Sequence, residues 1–106
     1  MEKRILVMAT ASSMEEGERI AAAVVREQLA ACCNIVPGIR SIYTWKGEIC
    51  DEKEVLLLMK TRADLFTPLK ERVRELHSYE VPEIISFTID SGLDDYLAWI
   101  GTVTKG

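Results

Sequence analysis

The sequence predicts an α+β fold in which four strands and two helices follow the order βαββαβ, with a short helix at the end. Short runs rich in Ile, Val and Leu alternate with stretches whose apolar residues recur every three or four positions, the spacing of a helix face. A long alternating segment reverses at Lys46-Gly47, which suits a tight turn between paired strands. At 106 residues, the chain has the length of a single domain.

The first strand and the first helix are expected in residues 5–29. Residues 5–8 are continuously apolar, and a polar segment of small residues follows, which suits a strand-to-helix turn. Ser13 and Glu16 have capping-box spacing, in which the hydroxyl accepts a backbone N–H and the carboxylate reaches back to the cap. The helix should run to about Leu29, and the face that covers a sheet carries Gly17, Ile20, Ala21, Val24 and Gln28.

A long hairpin should follow, with strands over residues 31–45 and 48–61. Its first strand is interrupted at Pro37-Gly38, where proline removes a ladder donor and glycine permits a bulge or kink. The two-residue turn would place Trp45 opposite Glu48.

The second half of the chain repeats the pattern of helix and strand. A helix begins at Asp64 or at Thr67, because Thr67-Pro68 resembles an N-cap followed by an N1 proline, and both starts stay open. A connector covers residues 77–82, and alternation over residues 85–89 indicates a fourth strand. A short last helix follows, with one face formed by Leu93, Tyr96, Leu97 and Ile100.

Two βαβ crossovers joined by a hairpin are expected to form a ferredoxin-like sandwich, a four-stranded antiparallel sheet with two helices on one face. The runs 5–8 and 55–59 place apolar side chains on both sides of their strands, whereas these helices cover only one side. The first hairpin strand would span up to about 50 Å, against about 25 Å for the first helix. Because the hairpin overhangs and the last helix covers at most part of the open side, we expect a homo-oligomer.

Charge and composition exclude several classes of function. A net charge of −4 gives no long-range attraction for phosphate backbones, so nucleic-acid binding is not expected. No apolar run reaches the roughly 20 residues that cross a bilayer, and no signal-peptide cleavage region is evident, so we expect a cytoplasmic protein without membrane insertion. Cys32, Cys33 and Cys50 lack the spacing of a disulfide framework or zinc site, and we expect free thiols.

Several segments, taken together, resemble one protein family. Residues 29–39 read Leu-Ala-Ala-Cys-Cys-Asn-Ile-Val-Pro-Gly-Ile, and residues 41–47 read Ser-Ile-Tyr-Thr-Trp-Lys-Gly. Lys60-Thr61, then His-Ser-Tyr-Glu-Val-Pro-Glu-Ile-Ile at residues 77–85, then Tyr-Leu-Ala-Trp at residues 96–99 follow in order. Over almost the whole chain, this order and spacing is similar to that of the CutA family, the divalent-cation tolerance proteins.

The resemblance implies a homotrimer of ferredoxin-like subunits, an architecture similar to the PII signalling proteins, and a role linked to metal-ion tolerance. Family members discussed as copper binders have a cysteine near the end of strand one and a histidine pair before the Tyr-x-x-Pro-Glu motif. This sequence has Ala9 and Leu76-His77 at those places, so that copper site does not transfer directly. Ser78 stands where the family usually has proline, which should loosen the turn without changing the fold.

Cys32 and His77 are the candidate ligands for a divalent cation or copper, because copper favours thiolate and imidazole donors. Cys32 and Cys33 point to opposite faces of a strand, so one chain cannot easily aim both at one ion. The alternative is that the cysteines are small buried apolar residues and that His77 is a solvated imidazole near a helix C-terminus. We expect no required cofactor.

A second candidate site combines aromatic and charged residues that could meet between subunits: Trp45, Lys60, Arg62, Tyr79, Glu80 and Glu83. In a trimer, strand ends and the connector would meet a neighbour's hairpin and form a cleft with aromatic walls that binds a small anion or metabolite. The alternative is that Trp45 and Tyr43 are interface anchors, while Lys60 and Glu83 form structural ion pairs.

An enzyme is not predicted, since the sequence offers no nucleophile elbow, Walker loop or HExxH motif. An RNA-binding module of the same fold is disfavoured by the acidic charge and the lack of RNP aromatic residues. The leading hypothesis is a trimeric, non-catalytic binding or signalling protein of the metal-ion response. A PII-like module that senses a small molecule or anion at intersubunit clefts is the alternative, and an uncharacterised enzyme comes third.

Overall fold

The computed structural model describes residues 2–105 and confirms an α+β, ferredoxin-like fold. The elements are β1 (Arg4–Ala11), α1 (Met14–Arg26), β2 (Cys32–Trp45), β3 (Glu48–Arg62), one 3-10 turn (Ala63–Leu65), α2 (Phe66–Leu76), β4 (Ile84–Thr88) and α3 (Asp94–Thr102). The strands form one antiparallel sheet in the order β2-β3-β1-β4. None of the helices within residues 2–105 is long and apolar enough to cross a membrane.

The two crossover helices have boundaries that differ from the predicted ones. α1 ends at Arg26, earlier than predicted, because Gln28 has a left-handed φ of 62° and the next two backbone N–H groups both donate to the carbonyl of Val24. α2 begins at Phe66, between the two predicted starts, because the 3-10 turn leads directly into it. Pro68 then lies in the first helical turn, where its missing N–H costs no helical hydrogen bond.

One face of the sheet packs against α1 and α2 and forms the core. Alternate residues of β1 and β3 point to this face, and the two helices contribute their apolar stripes. Side chains without exposed surface include Val7, Ala9, Ile20, Val24, Leu57, Met59, Leu69 and Val73. Thr61 is also fully buried, and its Oγ1 donates to the backbone carbonyl of Leu29 at 2.7 Å, which ties β3 to the segment after α1.

β2 and β3 form the long hairpin that the sequence predicts. Trp45 lies opposite Glu48, and Lys46-Gly47 has the two positive φ angles of a tight hairpin turn, 51° and 79°. The register shifts at the predicted Pro37-Gly38 interruption. We call the part beyond this shift, residues 39–54, the hairpin arm. The chain measures 44 Å along its longest axis, against 25 and 22 Å across, as expected for an arm that overhangs the helices.

The opposite face of the sheet, which we call the open face, carries apolar side chains from all four strands: Leu6, Met8, Val36, Leu56, Leu58, Ile85 and Phe87. At one end of this face, Arg4 Nε donates to the Leu97 carbonyl at 2.8 Å and holds α3 in place. Ile85 and Phe87 nevertheless keep 43% and 48% of their surface exposed. α3 therefore covers only part of the open face, as the sequence predicts.

Candidate functional site

A groove of 730 Å³ lies between the hairpin arm and the connector that joins α2 to β4. It is lined by four of the predicted cleft residues and by three others of the same chemical kinds: Trp45, Tyr79, Glu80, Glu83, Tyr43, Glu54 and Arg40. A groove of this volume holds a small organic molecule. Aromatic and acidic side chains from the arm and the connector thus meet within one chain.

Lys60 and Arg62, the other two predicted cleft residues, lie toward the far end of β3. Lys60 is six residues beyond Glu54 on this strand, about 20 Å away at the usual rise of a strand. Its ammonium donates to the side-chain carbonyl of Asn34. Arg62 forms a bidentate ion pair with Asp64 at 2.9 and 3.1 Å. Within one chain, neither cation reaches the groove, and Lys60 bonds an amide in place of an ion-pair partner.

His77 fixes the start of the connector through both of its ring nitrogens. Nε2 lies 2.6 Å from the carbonyl oxygen of Thr10, which can only accept, so this nitrogen carries the proton. Nδ1 accepts a hydrogen bond from the backbone N–H of Tyr79 at 3.1 Å, and the centres of the His77 and Tyr79 rings lie 4.7 Å apart. In this arrangement, neither ring nitrogen has a free lone pair for a metal ion.

Glu16 holds the next residue of the connector. Its side chain is buried, and its carboxylate accepts from Ser12 N and Oγ, both at 2.9 Å, and from Ser78 N at 2.8 Å. Burial alone would raise the pKa of Glu16, but the hydrogen bonds from Ser12 and Ser78 outweigh it and lower the pKa from 4.5 to about 2. The ionised carboxylate therefore anchors the connector to the N-terminal end of α1.

The capping box of α1 forms only in part. Ser13 Oγ accepts the backbone N–H of Glu16 at 3.1 Å, as predicted. The Glu16 carboxylate bonds Ser12 and Ser78, and not the backbone of the cap residue. Looseness of the turn at Ser78 stays a prediction, and the Ser78 N–H supplies a hydrogen bond to Glu16 that a proline at this position would lack.

Tyr79 and Glu54 form one wall of the groove. The Tyr79 hydroxyl donates to Glu54 Oε2 at 2.6 Å. Burial, with a further contribution from this bond to a carboxylate, raises the pKa of Tyr79. Glu54 is only 6% exposed, yet within residues 2–105 it accepts this one hydrogen bond and has no cation within 4 Å. No buried side-chain oxygen lacks a hydrogen-bond partner in the described part of the chain, so the Glu54 oxygen that Tyr79 does not bond faces the groove and its solvent.

The cations nearest the groove already have partners. Arg40 donates to Asp51 at 2.9 and 2.6 Å, and this pairing raises the pKa of Arg40 and lowers that of Asp51. Lys46 Nζ lies 5.6 Å from the centre of the Trp45 ring and 3.9 Å from a carboxylate oxygen of Glu80. The groove therefore offers carboxylates and aromatic faces, while these two cations are engaged.

Cys32 and His77, the predicted metal residues, are not brought together within one chain. Cys32 lies opposite Lys60 on β3, which lies opposite Leu6 on β1. His77 contacts Thr10, four residues further along β1, or about 13 Å at the usual strand rise. The described part of the chain contains no group of three His, Cys, Asp or Glu side chains placed to hold a metal ion. Metal binding by Cys32 and His77 stays a prediction, and it needs more than one chain.

The cysteines lie where strand alternation predicts. Cys32 pairs with Lys60 on the open face, and Cys33 pairs with Met59 on the helix-covered face. Burial raises the pKa of Cys33 to about 11, and the side chain packs against the core, so its thiol stays protonated. Cys33 therefore fits the interpretation as a small apolar residue, and all three cysteines are free thiols.

Glu16 and Glu54 are among the residues around the groove that sequence reasoning does not identify as site residues. Glu16 is recognised only as a capping residue, since nothing local indicates its bond to Ser78, 62 residues away. Glu54 does carry a signal, because strand alternation places this acid on the same face as Leu56 and Leu58. An acidic residue that precedes the apolar residues on one face of a strand indicates that this face borders a polar site.

These features define a ferredoxin-like protein with a long hairpin arm and an aromatic, acidic groove at the base of the arm. The family model described as CutA1 divalent ion tolerance protein matches residues 5–103. The divalent-cation tolerance protein CutA of Thermus thermophilus is 50% identical over 94% of this chain and 95% of its own length. The chain belongs to the CutA1 divalent ion tolerance family, which confirms the resemblance seen in the sequence.

Solved structures of the family have the same fold. The Thermus thermophilus Cut A1 structure has a TM-score of 0.94 at 48% identity and covers 96% of this chain and 99% of its own. CutA1 from Oryza sativa has a TM-score of 0.95 at 42% identity and covers 98% and 95%. The chloroplastic CutA protein of Arabidopsis thaliana is 46% identical over 95% of this chain, which spans 56% of that protein. The Thermus thermophilus names and the family description refer to divalent-cation or divalent-ion tolerance, and none of these names refers to a catalytic activity.

Proposed function

We propose that this chain acts in the divalent-cation response as a homotrimer that binds a ligand between its subunits and catalyses no reaction. The observation that carries the proposal is uncovered apolar surface on the open face and the hairpin arm. Ile42 and Ile49 on the arm are 63% and 80% exposed, and Phe87 on the open face is 48% exposed. Complete burial of one such side chain contributes about 1.5–3 kcal/mol, so contact between copies is favoured.

A closed assembly of identical subunits would cover both surfaces together. The arm extends past the helices of its own chain, and β2 and β4 are the edges of the sheet. Edge strands present unpaired backbone groups that another strand can pair with. A ring in which each arm docks on the next subunit leaves no apolar arm in water, and the family resemblance favours three subunits.

Native mass spectrometry in dilute neutral buffer is the test of this assembly, and a trimer is the expected species. Phe87→Glu should shift the population toward monomer, because an unpaired carboxylate on the open face would have to be buried. Val25→Glu is the matched control, since Val25 is a similarly exposed apolar residue on α1, away from the open face. A dominant wild-type monomer, or equal responses of the two variants, would contradict the proposal.

A binding role is favoured over catalysis by the state of His77. It is the single histidine of the chain, and both of its ring nitrogens bond backbone groups. A histidine that acts as a general base needs a free ring nitrogen within reach of the proton it removes. A purified protein that turns over a defined substrate would overturn this part of the proposal.

Cys32 and His77, the predicted metal ligands, could coordinate one copper ion only if they come from different subunits. The hydrogen bonds that hold the His77 ring would first have to break. We expect Cys32→Ser to weaken Cu(I) binding about tenfold or more, because a thiolate is the stronger donor for this ion. Competition with a chromophoric chelator measures this affinity. Cys33→Ser, on the other face of β2, should leave it unchanged, and equal affinities for wild type, Cys32→Ser and His77→Ala would remove both residues as ligands.

A cytoplasmic location is part of the proposal, and the three free cysteines support it because reducing compartments keep thiols unpaired. Relatives carry other locations in their names. The Arabidopsis thaliana protein is called chloroplastic, and the structure from Archaeoglobus fulgidus is called periplasmic. Fractionation of the source cells would decide the compartment of this chain.

A second candidate function is small-molecule sensing of the PII-like kind. The groove favours it, because 730 Å³ with aromatic walls is suited to an organic ligand rather than a bare metal ion. The connector and the hairpin arm both line the groove, so a ligand there would bear on the same arm that is proposed to dock on a neighbour. Ligand binding in the groove could therefore be detected as a change in subunit assembly.

A further inference from the structure

We propose that a pocket between α2 and the connector binds a phosphate group, held by Lys70 and Arg74. The pocket measures 230 Å³ and is lined by residues of α2, the connector and the start of β4: Lys70, Arg74, Glu80, Val81, Pro82 and Ile84. We call it the α2 pocket. The inference goes beyond the proposed function, because it concerns a second site whose residues all belong to one chain.

The two cations of the α2 pocket give the first argument. Lys70 and Arg74 lie four residues apart on α2, and this spacing places their side chains next to each other on one face of the helix. Within residues 2–105, neither has a carboxylate oxygen within 4 Å, whereas Arg72, between them in the sequence, forms an ion pair with Glu27 at 3.0 Å. Adjacent cations without acidic partners repel each other, and a bound anion relieves this repulsion.

A phosphate group suits these two side chains in both geometry and charge. Arg74 offers a planar fork of N–H donors for two phosphate oxygens, and Lys70 offers a compact ammonium for another. A phosphate monoester carries a charge of about −1.5 to −2 at neutral pH, so it attracts both cations more strongly than a single carboxylate does. The net charge of −4 gives the chain no general attraction for anions, so the attraction must come from this pair.

The rest of the lining gives the pocket an apolar wall. Pro82 and Ile84 are half-buried, and Ile84 packs against the core. The ring of Pro82 fixes its own φ and restricts Val81 before it to extended backbone, so this wall has little freedom to change shape. At about 30 Å³ for each water molecule, the pocket has space for about seven, which accommodates a phosphate group with a short alkyl body.

Glu80 is the one acidic residue of the pocket lining, and it already has a cation on the hairpin arm. Its carboxylate lies 3.9 Å from Lys46, and the two side chains are 65% and 71% exposed. An anion beside Lys70 would repel this carboxylate, which can move toward Lys46 and water at little cost. Two cations therefore face one exposed carboxylate here, whereas three carboxylates line the groove, so a small anion is favoured in the α2 pocket.

Titration of ¹⁵N-labelled protein with n-butyl phosphate, inorganic phosphate and n-butanol tests the site at constant ionic strength, because amide chemical shifts report where a compound binds. We expect saturable shifts in residues 70–74 and 80–84 with both phosphates and none there with n-butanol. Tighter binding of n-butyl phosphate would identify a small phosphate monoester as the ligand class, and equal dissociation constants would identify inorganic phosphate. No saturable shift in these residues with either phosphate would overturn the inference.

Variants that remove one charge test the two cations. Arg74→Gln should raise the dissociation constant for n-butyl phosphate about tenfold, and Lys70→Gln about fivefold, because each loses a charge-assisted hydrogen bond. Glutamine is a good helix former, so both variants should retain α2. Arg26→Gln is the matched control and should leave the constant unchanged, since Arg26 is exposed on α1 and does not line the pocket. Equal weakening by all three variants would mean a dependence on net charge alone and would overturn the site.

Native mass spectrometry of the same samples keeps this inference apart from the proposed function. A trimer without phosphate-dependent shifts overturns the phosphate site alone. A monomer that binds n-butyl phosphate, with weaker binding by Arg74→Gln, supports the site and overturns the trimer alone.

Discussion

Glu16→Gln is expected to lower the free energy of unfolding by about 2–3 kcal/mol at neutral pH. Glu16 is 4% exposed, and its carboxylate accepts three hydrogen bonds, two from Ser12 and one from Ser78. An amide keeps one acceptor but turns an N–H₂ group toward backbone N–H donors, so at least one buried donor loses its partner. Urea denaturation at fixed protein concentration measures the loss.

The matched control for this change is Glu18→Gln. Glu18 lies on the same helix, is exposed and makes no side-chain hydrogen bond within residues 2–105, so its replacement should change stability by no more than about 0.5 kcal/mol. A Glu16→Gln variant as stable as this control would show that the bond to Ser78 does not hold the connector.

Acid provides an independent test of the same carboxylate. The pKa of Glu16 is lowered from 4.5 to about 2 in the folded chain, so the unfolded chain binds a proton more readily. The stabilisation is therefore complete above about pH 5 and is lost as the pH falls to about 2. Wild type and Glu16→Gln should differ most at neutral pH and converge over this window. Parallel stability curves for the two proteins would contradict the assignment.

The hairpin could be predicted in detail because its register depends on residues next to one turn. Once Lys46-Gly47 is taken as a two-residue turn, alternation decides which side chains share a face, and Trp45 opposite Glu48 follows. The Pro37-Gly38 interruption is equally local, since both residues restrict the backbone at their own positions. These features could be predicted because residues close together in the sequence determine them.

The helix ends could not be predicted to the residue, because tertiary contacts decide them. Gln28 takes a left-handed φ that glycine or asparagine usually supplies, and the segment after it is held by Thr61 from β3. α2 starts at Phe66 because the 3-10 turn before it buries Leu65, and no side-chain cap marks that position. Neither cause leaves a local pattern in the sequence.

The candidate site was predictable as far as it depends on the arm and the connector motif. Trp45, Tyr79 and Glu83 line one groove within a single chain, whereas the sequence analysis places them in a cleft between subunits, and Lys60 lies about 20 Å along β3 from the groove residue Glu54. The role of Glu16 depends on a tertiary contact, in which the connector crosses the end of α1. Neither segment has a local sequence pattern that predicts this contact. Sequence reasoning therefore finds the chemical types of the site more readily than the bonds that position them.

Gly17→Ala is expected to destabilise the protein by about 1–2 kcal/mol, although alanine favours a helix by about 1 kcal/mol. A Cβ at this position would lie 2.9 Å from Val55 Cγ2 and 3.3 Å from Leu57 Cδ2, both in the core of the sheet. α1 would have to move away from β3 to admit it, and this shift would loosen the core packing around Ile20. Urea denaturation measures the loss.

Ala22→Gly is the matched control, because Ala22 is exposed on the same helix and the exchange has the opposite sense. It should cost about 1 kcal/mol through helix propensity alone. If propensity were the only effect, Gly17→Ala would stabilise the protein by a similar amount, and that result would refute the close contact between α1 and β3.

The contact with Val55 can be isolated by a double-mutant cycle. Val55→Ala alone leaves a cavity and should cost about 2 kcal/mol or more, but in the Gly17→Ala background the missing Cγ2 makes room for the new Cβ. The two losses should therefore sum to more than the double variant loses, with a coupling of about 1 kcal/mol. Additive losses would mean that the helix moves as a body and that the 2.9 Å approach does not limit its position.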